Sequence, residues 1–331
     1  MNAHDNAAML VTIGVPTLRR VGLLAEAVDS ALAQTWPAIE VLISQDVGPS
    51  GPDPDVTAYA RDAVARDARV RWQVAPRNLG LAGNWNFVAD GARGAWLSLI
   101  GDDDRLLPDF VHRLVGASRE GDAVVFSNHY AIDEHGARLD AESLRMTEVF
   151  NRSHLPAGRV GDAERVVWLN AVPMTSAIVR TSEIRRLRFR EELNTPEIEL
   201  YARLAHEGAG FTFVPDYLAE YRTHAGSATA DGLRLDRLVL ALLPLAVSPS
   251  AADQKRQLIA GLLPGAIERA LRAGDPALAR RLLATGLAPG GPRVALHRAL
   301  ARLPAPVAGP CARGLRRVGR AGRRLAQRAV S

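Results

Sequence analysis

Residues 81–115 read LAGNWNFVADGARGAWLSLIGDDDRLLPDFVHRLV, and this stretch decides the fold. Leu81–Ala92 has helical spacing of its apolar residues. Trp96–Ile100 (WLSLI) is a short apolar run of the kind a buried strand needs. Three aspartates, Asp102, Asp103 and Asp104, follow at once. Pro108 suits the first turn of a new helix, where its missing N–H costs nothing, and Phe110, Val111, Leu114 and Val115 give that helix one buried face. The order is helix, strand, acidic turn, helix.

The pattern repeats on both sides. Met9–Val15 (MLVTIGV) reads as a buried strand. Leu23, Leu24, Ala27, Val28, Ala31 and Leu32 recur at helical spacing until Pro37 ends the helix. Ile39–Ser44 is a second strand, followed by a Gly/Pro-rich loop, Gly48–Pro54. Val56–Arg66 is helical, Val70–Val74 a third strand and Asp122–Ser127 a fifth, after Trp96–Ile100. Strands alternating with helices predict an α/β fold with a mainly parallel, Rossmann-like sheet covered on both faces. Ligands in such sheets bind outside the carboxyl ends of the strands. Pro16 and Thr17, Asp46, and Asp102 to Asp104 all fall there. Residues 131–195 carry no single period. Pro196–His206 reads as a helix and Phe211–Val214 as a strand. From about residue 230 the chain is helical and rich in Ala, Leu and Arg, with Gly265–Ala273 and Asp275–Ala284 an antiparallel pair turning at Gly274. The predicted division is 1–229 as catalytic domain, 230–290 as helical extension and 291–331 as basic tail.

Charge sharpens that division. Ten arginines and no acid lie in residues 293–331, so the overall +5 becomes −5 for residues 1–292. A mildly acidic body argues against nucleic acid as a partner. Lys255 is the only lysine, and Cys311 the only cysteine, so no intrachain disulfide is expected. The first residues lack a basic secretory start. The longest apolar run, Leu238–Val247, is about half of what spans a bilayer and contains Pro244. No transmembrane helix and a cytoplasmic location are the expectation. Leu315, Val318, Gly322, Leu325 and Ala329 share one helical stripe among arginines. That pattern reads either as peripheral contact with the inner face of a membrane or as a solvated tail weakened by Gly314, Gly319 and Gly322.

Three adjacent carboxylates after a buried strand are costly unless positive charge meets them. Carboxylate oxygens are the ligands that Mg²⁺ or Mn²⁺ prefer, and those ions bridge phosphates. The alternative is a solvated acidic loop, or a charge cluster at the start of the next helix.

The quoted stretch belongs to a longer likeness. VTIGVPTLRR…LLAEAVDSALAQTWPAIEVLISQD at the start, RNLGLAGNWNFVADGARGAWLSLIGDDDRLLPDF through the aspartates, and PEIELYARLAHEGAGFTFVPDYLAEYRTHAGS further on occur in order. Together, over about residues 10–227, they resemble a family 2 glycosyltransferase of GT-A fold. The resemblance implies that Pro16 and Thr17 line a nucleotide pocket and that Asp46 accepts from the base. Arg77 and Asn78 would sit near the nucleotide, with Asp102 at the ribose or sugar. Asp103 would lead a metal site for Mg²⁺ or Mn²⁺, with Asp104 and His224 as further ligands. Glu197 falls at the position of the acidic base, with Glu199 as second candidate, and Arg222 lies in the closing Tyr-Arg-Xaa-His segment. Two departures stand out: Gly101 replaces an acid common two residues before the metal-binding aspartate, and Pro196 replaces the first of paired acids at the base position.

The activity so implied is transfer of a sugar, with inversion, from a nucleotide-sugar (UDP-sugar in the family's commonest case) to a hydroxyl acceptor. The acceptor would be a glycan or lipid-linked glycan, in polysaccharide or glycoconjugate synthesis. Each residue also has a plain structural alternative: Glu197 as first-turn acid of a helix, Asp46 as turn cap, His224 as loop histidine, Arg77 as surface charge. Trp85 and Trp96 read as core, and Trp168 as a candidate substrate contact. A nucleotidyltransferase would need a Gly-rich, lysine-containing loop after the first strand, and residues 14–20 lack one. A catalytically inactive sugar-binding module is the other alternative.

Overall fold

The computed structural model describes residues 9–223 and 232–313. Two units divide it: one runs to Gly232 and includes Ala246–Ala251, the other comprises Leu233–Leu245 and the chain from Ala252. The helix Pro292–Leu300 thus joins the second unit, inside the span that the sequence reading gave to a tail. His224 and the apolar stripe from Leu315 to Ala329 lie outside the described residues. Among the described residues no helix is long and apolar enough to cross a membrane.

The first unit is built on strand β1 (Val11–Thr17), whose first five residues are buried, and helix α1 (Val21–Leu32). Leu24, Ala27, Val28 and Ala31 turn inward from α1, the face its spacing predicts. β2 (Ile39–Gln45) follows, fully buried, then a two-stranded ribbon of β3 (Val47–Gly48) and β4 (Gly51–Pro52). α2 (Pro54–Arg66) starts at Asp53, whose side chain caps the amides of Asp55 and Val56. β5 (Val70–Val74), α3 (Gly80–Gly91) and β6 (Trp96–Leu99) complete the expected alternation. β5, β2, β1 and β6 lie side by side and parallel, so the chain reverses direction of travel at β1. Such a switch point opens a crevice at the strands' carboxyl ends.

Beyond β6 the sheet becomes mixed, with antiparallel neighbours joining the parallel ones. β7 (Arg105–Leu106), α4 (Phe110–Ala117) and β8 (Asp122–Ile132) come next. Pro108 precedes α4 by two residues instead of sitting in its first turn. The irregular middle region folds as α5 (Asp140–Val149), β9 (Gly158–Arg159), α6 (Ala163–Trp168), β10 (Ala177–Arg180) and α7 (Thr181–Leu187). α8 (Glu197–His206) and β11 (Gly210–Arg222) close the unit. β10 runs antiparallel between β6 and β8, while β11 is parallel to β8 and carries β7 and β9 antiparallel. β11 is 13 residues long, three times the stretch Phe211–Val214 read from the sequence.

The second unit is helical: α9 (Leu235–Leu242), α10 (Ala252–Arg272), α11 (Pro276–Ala284) and α12 (Pro292–Leu300). The expected pair turning at Gly274 is present, but its first helix begins well before Gly265 and runs through Pro264.

Candidate active site

Backbone register gathers the polar ends of three strands. Asp46 donates its amide to the Thr17 carbonyl at 2.7 Å, and Ile100 donates to the Gly14 carbonyl at 3.1 Å. Residues 16–20, 46 and 101–104 therefore share one edge of the sheet.

The acidic turn is held from two sides. Thr17 Oγ1 donates to Asp102 Oδ2 at 2.6 Å. One Arg20 nitrogen pairs with Asp102 Oδ1, and another donates to Asp103 Oδ2 at 2.9 Å. Behind the turn, the Arg222 amide donates to Asp104 Oδ1 at 2.9 Å and Thr175 Oγ1 donates to Asp104 Oδ2 at 3.0 Å. Arg222 is 2% exposed: its Nε donates to the Asp103 carbonyl at 2.8 Å and its Nη2 to Glu26 at 2.6 Å. Its remaining nitrogen reaches the carbonyls of Asp133 and Glu134. The guanidinium is thus wholly engaged in bracing the turn. Further along, Gln34 Nε2 donates to the Leu107 carbonyl at 2.9 Å and Gln34 Oε1 accepts from the Val111 amide at 3.0 Å, so the Gln-Thr turn after α1 fixes the far end of the acidic segment.

Gly101 has a steric role. A Cβ there would lie 2.5 Å from Asp103 Oδ1 and 3.1 Å from Asp104 Oδ2. The Asp103 carboxylate fills the space that a side chain at 101 would take. The acid absent at 101 and the acid present at 103 compete for one place.

Burial sets the electrostatics. Asp102 is pushed up to about 6 by burial, against the pull of Arg20 and Thr17. Asp104 is raised by burial and by its neighbour Asp103. Burial disfavours the charged form of both carboxylates, a cost that a cation beside them would offset. One guanidinium reaches Asp102 through one nitrogen and Asp103 through another, so the two carboxylates face the same side of the turn. Hard carboxylate oxygens suit Mg²⁺ or Mn²⁺, and the pair fits such an ion. The oxygens of Asp104 are both committed to protein donors. Among the described residues no three Asp, Glu, His or Cys side chains converge on one point.

Asp46 is 4% exposed, and its carboxylate accepts from the amides of Val47, Leu79 and Gly80 at 2.8–2.9 Å. It ties the start of α3 to the end of β2. Asn78 donates to the Val47 carbonyl at 2.7 Å, and Arg77 stands exposed beside it. Pro16 is partly exposed at the end of β1.

The two glutamates of α8 differ sharply. Glu199 is fully buried between Arg190, 3.1 Å from Oε1, and Arg203, which donates to Oε2 at 2.8 Å. Glu197 opens the helix and is partly exposed, yet its Oε2 is enclosed without a hydrogen-bond partner among the described residues. Burial pushes its carboxyl up to about 7. One turn on, the Tyr201 hydroxyl donates to Met174 Sδ at 3.3 Å, and the next residue, Thr175, is the one that holds Asp104. Tyr201, one helical turn from Glu197, is thus joined to the acidic turn through residues 174–175. Sequence reasoning missed Arg20 and Thr175, although Arg20 lay two residues past Leu18 in a quoted motif. Trp168 is 1% exposed and Trp96 fully buried, while Trp85 packs edge-on against Phe189 at 5.3 Å.

Residues 12–164 match the family described as Glycosyl transferase family 2. The succinoglycan biosynthesis protein ExoO of Rhizobium meliloti is 30% identical over 146 residues, 44% of this chain and 39% of that protein. The GalNAc(5)-diNAcBac-PP-undecaprenol beta-1,3-glucosyltransferase of Campylobacter jejuni is 29% identical over 119 residues, 36% of this chain and 37% of that protein. The matched stretch thus spans well under half the length of either relative. Among solved structures, the mannosyltransferase PcManGT from Pyrobaculum calidifontis, in complex with GDP-Man and Mn²⁺, superposes with a TM-score of 0.57 at 17% identity, over 86% of this chain and 77% of that one.

Proposed function

We propose that this chain, a member of the family 2 glycosyltransferases with a GT-A fold, moves a sugar from a nucleotide-sugar donor to a hydroxyl acceptor with inversion. The observation that carries the reading is Glu197: a carboxylate with one enclosed oxygen that has no hydrogen-bond partner among the described residues, pushed up to about 7 by burial, one helical turn from Tyr201, which meets Met174 beside the Thr175 that holds the acidic turn.

The crevice at the ends of β1, β2 and β6 takes the nucleotide. Pro16, Thr17, Arg77 and Asn78 line it, and Asp46 holds its walls together. Asp102 and Asp103 hold a divalent cation, with His224 as a further ligand. When bound, that ion supplies positive charge beside the leaving diphosphate. Asp104 and Arg222 keep the turn in place, a positioning role that their enclosed contacts support better than direct contact with the donor. Glu197 accepts the proton of the acceptor hydroxyl as its oxygen attacks the anomeric carbon. The bond from that carbon to the diphosphate oxygen breaks on the opposite face, and the nucleoside diphosphate departs. Glu199, neutralised on both oxygens, is not available as a base. A polysaccharide or lipid-linked glycan is the acceptor class that the relatives support, and a UDP-sugar is one donor among several to be compared.

The test is a panel of UDP-, GDP- and dTDP-sugars with Mn²⁺, read for released nucleoside diphosphate. One donor should be turned over. Glu197→Gln should keep donor binding and lose about 10²-fold or more in turnover, the contribution typical of a placed base. Binding without release by the wild-type protein would move it to the sugar-binding class, and full turnover by the variant would remove Glu197 from the base role.

A further inference from the structure

Two arginines meet the acidic turn, and they are held in opposite ways. Arg222 is buried behind it with every nitrogen committed. Arg20 stands in front, its side chain 34% exposed. It projects from the short link between β1 and α1, and its backbone sits at φ 79°, ψ 51°. That left-handed conformation is unfavourable for a residue with a Cβ and persists only where surroundings hold it. The Arg20 side chain makes no capping bond to the first turn of α1 and turns to the carboxylates instead. Its carbonyl accepts from the Leu24 amide at 3.1 Å, and its guanidinium pairs with Asp102 and Asp103. The contacts therefore join a strained, solvent-reachable residue to the two carboxylates assigned to the metal.

We propose that Arg20 is a displaceable counter-ion: it neutralises Asp102 and Asp103 while no divalent cation is bound, and gives up their oxygens when one arrives. The inference rests on the metal reading of the acidic turn given above. A guanidinium and a divalent ion cannot share the same carboxylate oxygens at close range, because like charges repel strongly in a partly buried site. Arg20 thus keeps a negative turn folded in the absence of metal and sets a threshold for metal entry. Arg222, locked to the backbone, keeps the turn's shape through the exchange.

Binding of Mn²⁺ to the full chain, followed by loss of the free-ion electron paramagnetic resonance signal, tests this directly. It is measured without nucleotide and with UDP, for the wild type, Arg20→Gln, Arg20→Met and Arg20→Lys. The two neutral variants should bind Mn²⁺ alone about tenfold more tightly than wild type, equivalent to ~1.4 kcal/mol. The lysine variant keeps the charge and should stay within about threefold of wild type. In EDTA the neutral variants should melt at lower temperature than wild type, and Mn²⁺ should close the gap. The methionine variant repeats the test if the glutamine variant fails to fold. Neutral variants that bind Mn²⁺ no more tightly than wild type overturn the proposal, as does a lysine variant that matches them. If no protein binds Mn²⁺ even with UDP, the metal reading itself fails and the proposal falls with it.

Discussion

Glu197 and Glu199 stand two residues apart at the start of one helix and meet opposite fates. A helix places residues i and i+2 on different faces, so one glutamate points into a paired, sealed site and the other to an enclosed but unpaired one. Arg190 and Arg203 satisfy the charge of Glu199, whereas nothing positive reaches Glu197 Oε2 among the described residues. Burial then raises the Glu197 carboxyl to about 7. A base must be ionised to accept a proton, so kcat/KM should rise with pH up to about 7 and level off above it. A rate profile that is flat from about pH 5.5 to 8 would contradict this assignment. Glu199→Gln should leave that limb where it is and instead lower stability by about 1–3 kcal/mol, read as a drop in Tm, because it removes the one buried carboxylate that Arg190 and Arg203 share.

At the scale of elements, regular repeats were legible and their partners were not. β1, β2 and β6 could be read from short apolar runs because each is a buried parallel strand, and β5 is the partly buried parallel strand at the sheet's end. The acidic turn was legible from its place after β6. β10 was not, since a four-residue antiparallel strand in an irregular region has too few residues to show a period. β11 was cut short in the reading because Pro215 and Asp216 interrupt its apolar run, where the structure accommodates them in a register shift. Long-range braces are invisible in any local pattern: Arg222 lies 118 residues from the aspartate its amide holds. Gly101 was noticed as a missing acid, yet its steric meaning needed coordinates. Gly101→Ala would force the Asp103 carboxylate, the far end of a short side chain, to move. Asp104 Oδ2, 3.1 Å from that Cβ and held by Thr175, must give by only a few tenths of an ångström, so Tm should fall by no more than about 4 °C, on the order of 1 kcal/mol. Donor-dependent kcat/KM should nevertheless fall by about tenfold or more, on the order of 1.4 kcal/mol of lost transition-state stabilisation. A large loss of Tm with unchanged kcat/KM per folded molecule would show that Gly101 serves folding and not the site.

At the scale of the whole molecule, buried carboxylates pull stability in two directions with pH. Glu164 is the opposite of Glu197. Burial alone would raise it, but the Ser248 amide and hydroxyl, at 2.6 and 2.7 Å, and His206 outweigh that and hold its carboxyl below the usual range. Glu268, paired with Arg293 and Arg272 in the helical unit, is lowered in the same way. A lowered carboxyl contributes stability that is present above its unfolded value and lost as pH falls through its folded one. Glu197 has the reverse sign: its contribution is fully present below its ordinary value of 4.5 and is lost as pH rises towards about 7. The lowered groups therefore set the acid limb of the stability curve, and Glu197 weakens the alkaline one. Replacing it isolates that second term. Glu197→Gln should match wild type near pH 4 and exceed it at pH 8 by on the order of 3 kcal/mol, with the gap opening between about pH 4.5 and 7. Urea unfolding of both proteins across that range measures the gap. If the difference is constant with pH, the Glu197 carboxyl titrates normally, and the physical basis for its role as a near-neutral base is gone.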